Sequence, residues 1–255
     1  MRVAVKFAYD GRLFHGFARQ PQLTTVEGEL IKSLIKHGFI EDTVDAGFRA
    51  ASRTDKGVSA LGNVVAFNTH ASTERVLNEL NNDLPSILVY GGKQVDAKFY
   101  PRHAKLRMYR YYLKKSELDL DNVLSATALF AGKHDFTNFA RVEDDKEPVR
   151  TVDNIVVAEH GDWYMVDFYA QTFLWNQIRR IVSAVEQVAR ETLTKEEVIA
   201  ALENPGKPVD YGLAPAEPLI LKDIVYSFRF DCDKNMANKL EELENKLVAS
   251  MFKKG

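Results

Sequence analysis

The sequence is poor in the residues that build disulfides and metal sites. Cys232 is its single cysteine, which excludes an internal disulfide and a cysteine-rich metal site. Its six histidines are scattered, and none lies three or four residues from another, the spacing at which a helix presents two imidazoles to one ion. We therefore predict that the protein binds no metal.

Nucleotide-binding glycine patterns and long apolar runs are missing as well. The sequence has neither a Walker loop nor G-x-G-x-x-G, and it has no G-x-S-x-G nucleophile elbow. No apolar stretch reaches the roughly 18 residues of a membrane helix, and the start MRVAVKFAYDG has no signal-peptide pattern. We expect a cytoplasmic protein without a cofactor, whose chemistry is done by side chains alone.

Charge is balanced overall but uneven along the chain. The formal net charge is −2 over 255 residues, which argues against a uniformly basic surface. From Arg102 to Lys115, however, there are six Lys or Arg and no Asp or Glu. A local basic strip of this kind keeps nucleic-acid binding open.

Strand and helix patterns are interspersed in both halves of the chain. RVAVKFAYD alternates and predicts a half-buried strand, and TTVEGELIKSLIKHG predicts a helix with a Thr24–Glu27 capping box and a stop at Gly38. VRTVDNIVVAEH and WYMVDFYAQ flank Gly161-Asp162 and predict a hairpin. DIVYSFRF predicts a late strand, and residues 235–254 predict an amphipathic helix.

This mixture predicts the α+β class, with mixed, mostly antiparallel sheets instead of one doubly wound parallel sheet. We expect two ferredoxin-like halves. Residues 1–104 would carry the loop around Asp55, and residues 105–255 would carry an additional C-terminal helix. A cleft between the halves would be the natural place for a substrate.

Asp55 in ASRTDKGVSA is the leading candidate for chemistry. A carboxylate can act as a nucleophile if it stays ionised, and a nearby cation lowers a carboxyl pKa by roughly 1–3 units. Arg53 and Lys56 stand close enough in sequence to supply that charge or to grip a phosphate. The alternative is that Asp55 only caps the turn before Gly57.

Two further stretches carry candidate side chains. In RHAKLRMYRYYLKK, strand alternation places Arg107, Tyr109 and Tyr111 on one face, which suits base stacking and phosphate contact, although an amphipathic core strand fits too. In NQIRRIV, Arg179 and Arg180 are adjacent on an apolar helix, so one of them lies nearer the buried face and needs a carboxylate there. Two exposed, snorkelling arginines are the alternative.

Together these motifs resemble the tRNA pseudouridine synthase A (TruA) family. ASRTDKGVSA is similar to its G-R-T-D-x-G-V-H signature, AYDGRLFHGFARQP to its opening Y-D-G segment, and RMYRYYL to its R-x-Y-R-Y strand. LFAGKHDFTNFAR is similar to G-x-H-D-F-T-x-F, and TFLWNQIRRIV to F-x-x-x-M-[VI]-R-x-[IV]-V. The matches keep the family's order and span roughly residues 5–226.

The resemblance implies a pseudouridine synthase fold and an isomerase that converts uridine to pseudouridine in the anticodon stem-loop of tRNA, at positions thirty-eight to forty, without a cofactor. It implies that Asp55 is the nucleophile, that Tyr109 stacks on the target base and that Arg179 pairs with the aspartate. The substrate-binding residues would be Tyr109, Arg53, Lys56, Arg102, Arg107 and Arg110. It also implies a homodimer that shares one tRNA.

Several positions depart from the family pattern. Ser52 and Ser59 replace the usual glycine and histidine, Phe17 stands where tryptophan is common, and WNQ replaces the usual HHM before Ile178. None of these changes removes an assigned catalytic group, but they bear on loop shape and on the choice of uridine. The rival hypothesis is a catalytically silent RNA-binding protein or tRNA chaperone on the same scaffold.

Overall fold

The computed structural model describes residues 1–116, 118–144, 146–232 and 234–252. Their strands are β1 (Arg2–Tyr9), β2 (Arg49–Ala50), β3 (Ser59–Asn68), β4 (Ile87–Val95), β5 (Leu106–Lys114), β6 (Gly132–Asp135), β7 (Val149–Val152), β8 (Asn154–His160), β9 (Trp163–Ala170), β10 (Leu219–Val225) and β11 (Asp231–Cys232). Their helices are α1 (Val26–Lys36), α2 (Thr73–Asp83), α3 (Leu120–Ala128), α4 (Gln177–Ala189), α5 (Lys195–Glu203) and α6 (Lys234–Phe252). The α+β class is confirmed.

The chain divides into two compact units. The first contains residues 1–105 and 220–255, and the second contains residues 106–219. The boundary predicted after residue 104 lies next to the observed one. The strands β10 and β11, however, were expected in the second half and instead pair with β3 and β4 of the first unit.

The first unit is built on a sheet whose middle strand is β1. β1 pairs antiparallel with β3 on one side and with β4 on the other, while β10 joins β3 in parallel and β2 joins it antiparallel. β1 was predicted to be half-buried, but all its residues except Lys6 are buried. Both faces of the sheet are covered: a Cβ at Gly92 would meet α2, and one at Gly91 would meet Phe230.

The first helix, α1, follows the predicted pattern with one shift. α1 begins after Thr25, whose side chain accepts from the Gly28 backbone N–H, so the predicted Thr24–Glu27 capping box is wrong. Glu27 instead accepts from the backbone N–H of Arg19 at 3.0 Å. Gly38 follows α1 at φ 66°, the left-handed conformation that ends helices.

α6 also belongs to the first unit. The apolar stripe of this amphipathic helix points inward. Leu247 is buried, and the other members of the stripe are half-buried: Met236, Leu240, Leu243 and Met251. Lys222 on β10 pairs with Glu244 on α6. Residues 253 and 254 of the predicted helix lie outside the described residues. No helix in the described part of the chain is long and apolar enough to cross a membrane.

The second unit has a sheet in the order β5–β9–β8, with all pairs antiparallel. β8 and β9 form the predicted hairpin, in which Gly161 adopts a φ of 55°. Residues 149–152 were expected to extend this hairpin, but as β7 they pair with β6 instead. α5 begins with the complete capping box of Thr194 and Glu197.

Candidate active site

The loop that carries Asp55 is anchored in the first unit by hydrogen bonds that residues 51–54 make with two other segments. The backbone N–H of Ala51 donates to the Val64 carbonyl oxygen at 2.8 Å, and Asn63 Nδ2 donates to the carbonyl oxygen of Ser52 at 3.0 Å. The carbonyl oxygen of Thr54 accepts from the Phe17 backbone N–H at 3.1 Å. The loop between β2 and β3 is therefore attached to the sheet and to the opening segment.

Asp55 begins a tight turn. Its backbone carbonyl oxygen accepts from the Val58 N–H at 3.1 Å, and Gly57, the third residue of the turn, has a φ of 89°. A positive φ at that position is characteristic of a type II turn and explains the glycine. The hydrogen bond that closes the turn thus uses the backbone of Asp55. The Asp55 side chain is half-buried, between the exposed Arg53 and Lys56.

The opening motif AYDG supports this loop from the neighbouring strand end. The hydroxyl groups of Tyr9 and Thr54 lie 2.8 Å apart, and the backbone N–H of Gly11 donates to Ser59 Oγ at 3.0 Å. Gly11 also packs directly against the turn, because a Cβ there would lie 2.1 Å from the Val58 carbonyl oxygen. Sequence reasoning matched this motif to the family but assigned no role to these residues.

Asp10 and Arg12 hold the opening segment in shape. Asp10 accepts from the backbone N–H of Arg12 at 3.0 Å and from its Nε at 2.8 Å. Burial alone would raise the pKa of Asp10, but hydrogen bonds and charge from Arg12 outweigh burial and hold that pKa below its ordinary value. Arg12 also donates to Ser250 on α6. The C-terminal helix thus contacts the segment that supports the Asp55 loop.

Tyr109 lies on β5 of the second unit. It is buried, and the ring of Phe173 meets it edge to face, with centroids 5.4 Å apart at 88°. Such aromatic pairs fix the orientation of both rings. The family pattern places the base-stacking tyrosine at this position, and the structure gives its ring an aromatic neighbour.

Arg179 lies on α4 and is half-buried, as is its neighbour Arg180. Arg179 Nε donates to the carbonyl oxygen of Ala214 at 2.8 Å, and its backbone carbonyl oxygen accepts from the Ala214 N–H at 3.2 Å. Arg180 pairs with Asp210 at 2.9 Å. The segment around Ala214 therefore orients Arg179, and Asp210 is a carboxylate partner of Arg180.

The predicted basic strip is less exposed than the sequence suggested. Arg107 is buried and donates to the carbonyl oxygen of Gln171. Arg110 forms a bidentate pair with Asp167, both N–O distances being 2.7 Å, across the β5–β9 ladder. The hydrogen bonds that Arg110 donates to the Asp167 carboxylate raise the pKa of Arg110 above its ordinary value. Arg102 is exposed and lies in the first unit.

The Arg110–Asp167 pair predicts a stability effect. Arg110→Met leaves a largely buried carboxylate without its partner, so we expect the free energy of unfolding to fall by about 1.5–3 kcal/mol. Urea unfolding curves measure the loss. Arg102→Met is the control and should stay within about 0.5 kcal/mol of the wild type, because Arg102 is exposed. An unchanged midpoint for Arg110→Met, with weakened tRNA binding, would instead make Arg110 an RNA contact.

No group of three or more His, Cys, Asp or Glu within the described ranges could hold a metal ion. The candidate groups are a carboxylate in the first unit, Asp55, and a tyrosine and an arginine in the second, Tyr109 and Arg179. A carboxylate can attack carbon or accept a proton, and an aromatic ring can stack on a base.

Comparison with known proteins gives the family. Residues 126–227 match the family model described as tRNA pseudouridine synthase. The tRNA pseudouridine synthase A of Thermococcus sibiricus is 42% identical over 245 residues, which cover 94% of this chain and 91% of the relative. That of Pyrococcus horikoshii is 41% identical over 257 residues, covering 94% and 95%. That of Methanothermobacter thermautotrophicus is 39% identical over 230 residues, covering 89% and 82%.

Among solved structures, a chain of a Cbf5–Nop10–Gar1 complex matches 72% of this chain and 44% of its own length at 12% identity, with a TM-score of 0.37 that is too low to support an argument. The sequence relatives are decisive, and they place the chain among the tRNA pseudouridine synthases, a class of isomerases. Within that class, the chain belongs to the tRNA pseudouridine synthase A family. The family predicted from the motifs is confirmed.

Proposed function

We propose that this protein converts uridine to pseudouridine in the anticodon stem-loop of tRNA, at positions thirty-eight to forty. The observation that carries the proposal is Asp55, which occupies the nucleophile position of the family signature on a turn held by Thr54, Gly57 and Val58. Relatives that match over nine-tenths of the chain bear the name tRNA pseudouridine synthase A, which supports the reaction and the tRNA substrate.

The reaction breaks the bond between N1 of uracil and C1′ of ribose and joins C1′ to C5 of the same base. C5 loses its proton and N1 gains one, so atoms balance without an oxidant, a reductant or an energy source. The base has to leave its stack to be reached. A single well-placed carboxylate suits this chemistry, because each route needs one group that adds to carbon or removes a proton.

Three roles follow for the proposed catalytic residues. The Asp55 carboxylate attacks C1′, adds to C6 of the ring, or takes the C2′ proton to give a glycal, and the three routes remain alternatives. Tyr109 stacks on the everted uracil. Arg179 keeps the carboxylate ionised and oriented, which fits a side chain already held by the Ala214 carbonyl oxygen.

The proposed substrate-binding cations divide by exposure. Arg53, Lys56 and Arg102 are exposed and suited to the phosphate backbone. Arg107 and Arg110 were expected to do the same, but their contacts with Gln171 and Asp167 favour a role in fixing the strand that carries Tyr109. A homodimer that shares one tRNA, and a cytoplasmic location, complete the proposal.

Tritium release tests the reaction directly. tRNA transcribed with 5-tritiated uridine loses its label to water when C5 forms the new glycosidic bond, so the purified protein should release tritium in proportion to the uridines it converts. Primer extension after carbodiimide treatment then maps the products. Stops at positions thirty-eight to forty support the proposed target. Release with stops elsewhere would show an enzyme of the same type with another site.

A further inference from the structure

An exposed tryptophan and an arginine form a pair on the second unit. Trp175 is 45% exposed, and the guanidinium carbon of Arg141 lies 4.1 Å from the centroid of its ring. The backbone N–H of Arg141 also donates to the Trp175 carbonyl oxygen at 2.8 Å. The two residues are thus joined through both their backbones and their side chains, which gives the pair a defined geometry.

A buried side chain supports the backbone around Trp175. Gln177, which is 1% exposed, accepts the Leu174 N–H on Oε1 at 2.8 Å and opens α4. Asn176 lies between them in the left-handed region, at φ 62°. Asparagine is among the few residues that tolerate this conformation, and strained residues of this kind concentrate at functional sites. Backbone hydrogen bonds therefore hold the corner that carries Trp175.

This corner is linked to the proposed base-stacking residue, Tyr109, through Phe173. Phe173, two residues before Trp175, contacts Tyr109 edge to face. At the same place the sequence departs from its family's pattern, since WNQ stands where HHM is usual. Trp175 thus presents a large aromatic ring at an exposed position, where burial in the core does not account for it.

We propose that Trp175 and Arg141 form a second stacking platform that holds an unpaired nucleotide of the tRNA next to the target uridine. This inference rests on the proposed function, in which Tyr109 holds the uridine itself. The indole stacks on the neighbouring base, and the guanidinium pairs with its phosphate. Arginine beside an exposed aromatic ring is the usual composition of single-strand sites. Trp175 is thus a substrate-binding residue that influences which uridine is presented.

The stacking contribution sets the expected loss of affinity. Stacking on one aromatic side chain corresponds to about 5- to 150-fold in Kd. Trp175→Ala should weaken binding of unmodified tRNA within this range, whereas Trp175→Phe should retain much of the affinity because it keeps a ring. Arg141→Ala should cost about 2- to 5-fold, as expected for a cation–π partner at an exposed site. Urea unfolding midpoints check that each variant is folded.

The two tryptophans of the chain provide a matched optical test. Trp163→Phe leaves Trp175 as the sole emitter, and Trp175→Phe leaves Trp163. Trp163 lies on β9, opposite Lys114 of β5. Lys114 is five residues from Tyr109 along β5, a distance of roughly 17 Å. Titration with unmodified tRNA should quench the emission of Trp175 saturably and leave that of Trp163 nearly unchanged.

Tritium release by the same samples separates this proposal from the proposed function. Quenching of Trp175 without release would refute the enzymatic proposal but keep the RNA platform. Normal release by the Trp163→Phe protein without quenching, or equal quenching of both tryptophans, would overturn the platform. An unchanged Kd for a folded Trp175→Ala protein would overturn it as well.

Discussion

Asp55→Asn is expected to lower tritium release by at least about 10³-fold and to leave tRNA binding largely intact. Asparagine has nearly the shape of aspartate but cannot act as a nucleophile or accept the proton. The turn at this position is closed by the Asp55 backbone carbonyl oxygen and by Gly57, so the substitution preserves the loop. Single-turnover release and a filter-binding curve measure the two effects on the same preparation.

Asp45→Asn provides the control for this prediction. Asp45 is exposed in the first unit, so the same chemical change there should leave both release and binding at the wild-type level. A silent RNA-binding protein or chaperone would give equal results for the two variants, with no release from either. Substantial release by Asp55→Asn would show that another group carries the reaction.

Gly11→Ala is expected to reduce kcat by about 100-fold, although residue 11 takes no part in the chemistry. The new methyl group would sit 2.1 Å from the carbonyl oxygen and 2.4 Å from the carbonyl carbon of Val58. No backbone atom can remain at that distance, so Val58 must move. Since the N–H of Val58 closes the turn at Asp55, the displacement reaches the carboxylate. A shift of about 1 Å at a reacting group can lower the rate by about 100-fold.

Gly206→Ala is the matched control for Gly11→Ala, because a Cβ there meets nothing within 4 Å. It should leave kcat unchanged. Comparing the urea midpoints of both variants distinguishes a misplaced loop from general unfolding. Wild-type kcat in a folded Gly11→Ala protein would show that the opening segment does not position Asp55.

The sequence predicts this fold best where the signal is local. The β8–β9 hairpin depends on Gly161, whose backbone adopts the positive φ that the turn between the two strands requires. The capping residue of α1 was missed by one position because Thr24 and Thr25 are chemically alike, and only the extended backbone of Thr25 decides between them. The burial of β1 was missed because both faces of its sheet are covered by parts of the chain distant in sequence, such as α2 and Phe230 where they meet Gly92 and Gly91 of the neighbouring β4.

The candidate site follows the same rule. The motif around Asp55 and the glycine of its turn are visible in the sequence. Its supports are not, because the contact of Tyr9 with Thr54 joins residues 45 positions apart. Likewise, arginine spacing on β5 indicated a basic face, while the partner that engages Arg110 lies 57 residues away, on β9. Ion pairs and hydrogen bonds between residues distant in sequence therefore determine which cations are exposed to a substrate.

The discontinuous first unit has a consequence for how the protein is made. β3, which follows the Asp55 loop, receives its parallel neighbour β10 only after residues 106–219 have been added. At about 5–20 residues per second, the ribosome takes several seconds over that interval, during which the second unit can fold on its own. A protein truncated after residue 219 would contain all three proposed catalytic residues, but the sheet of its first unit would lack β10 and β11.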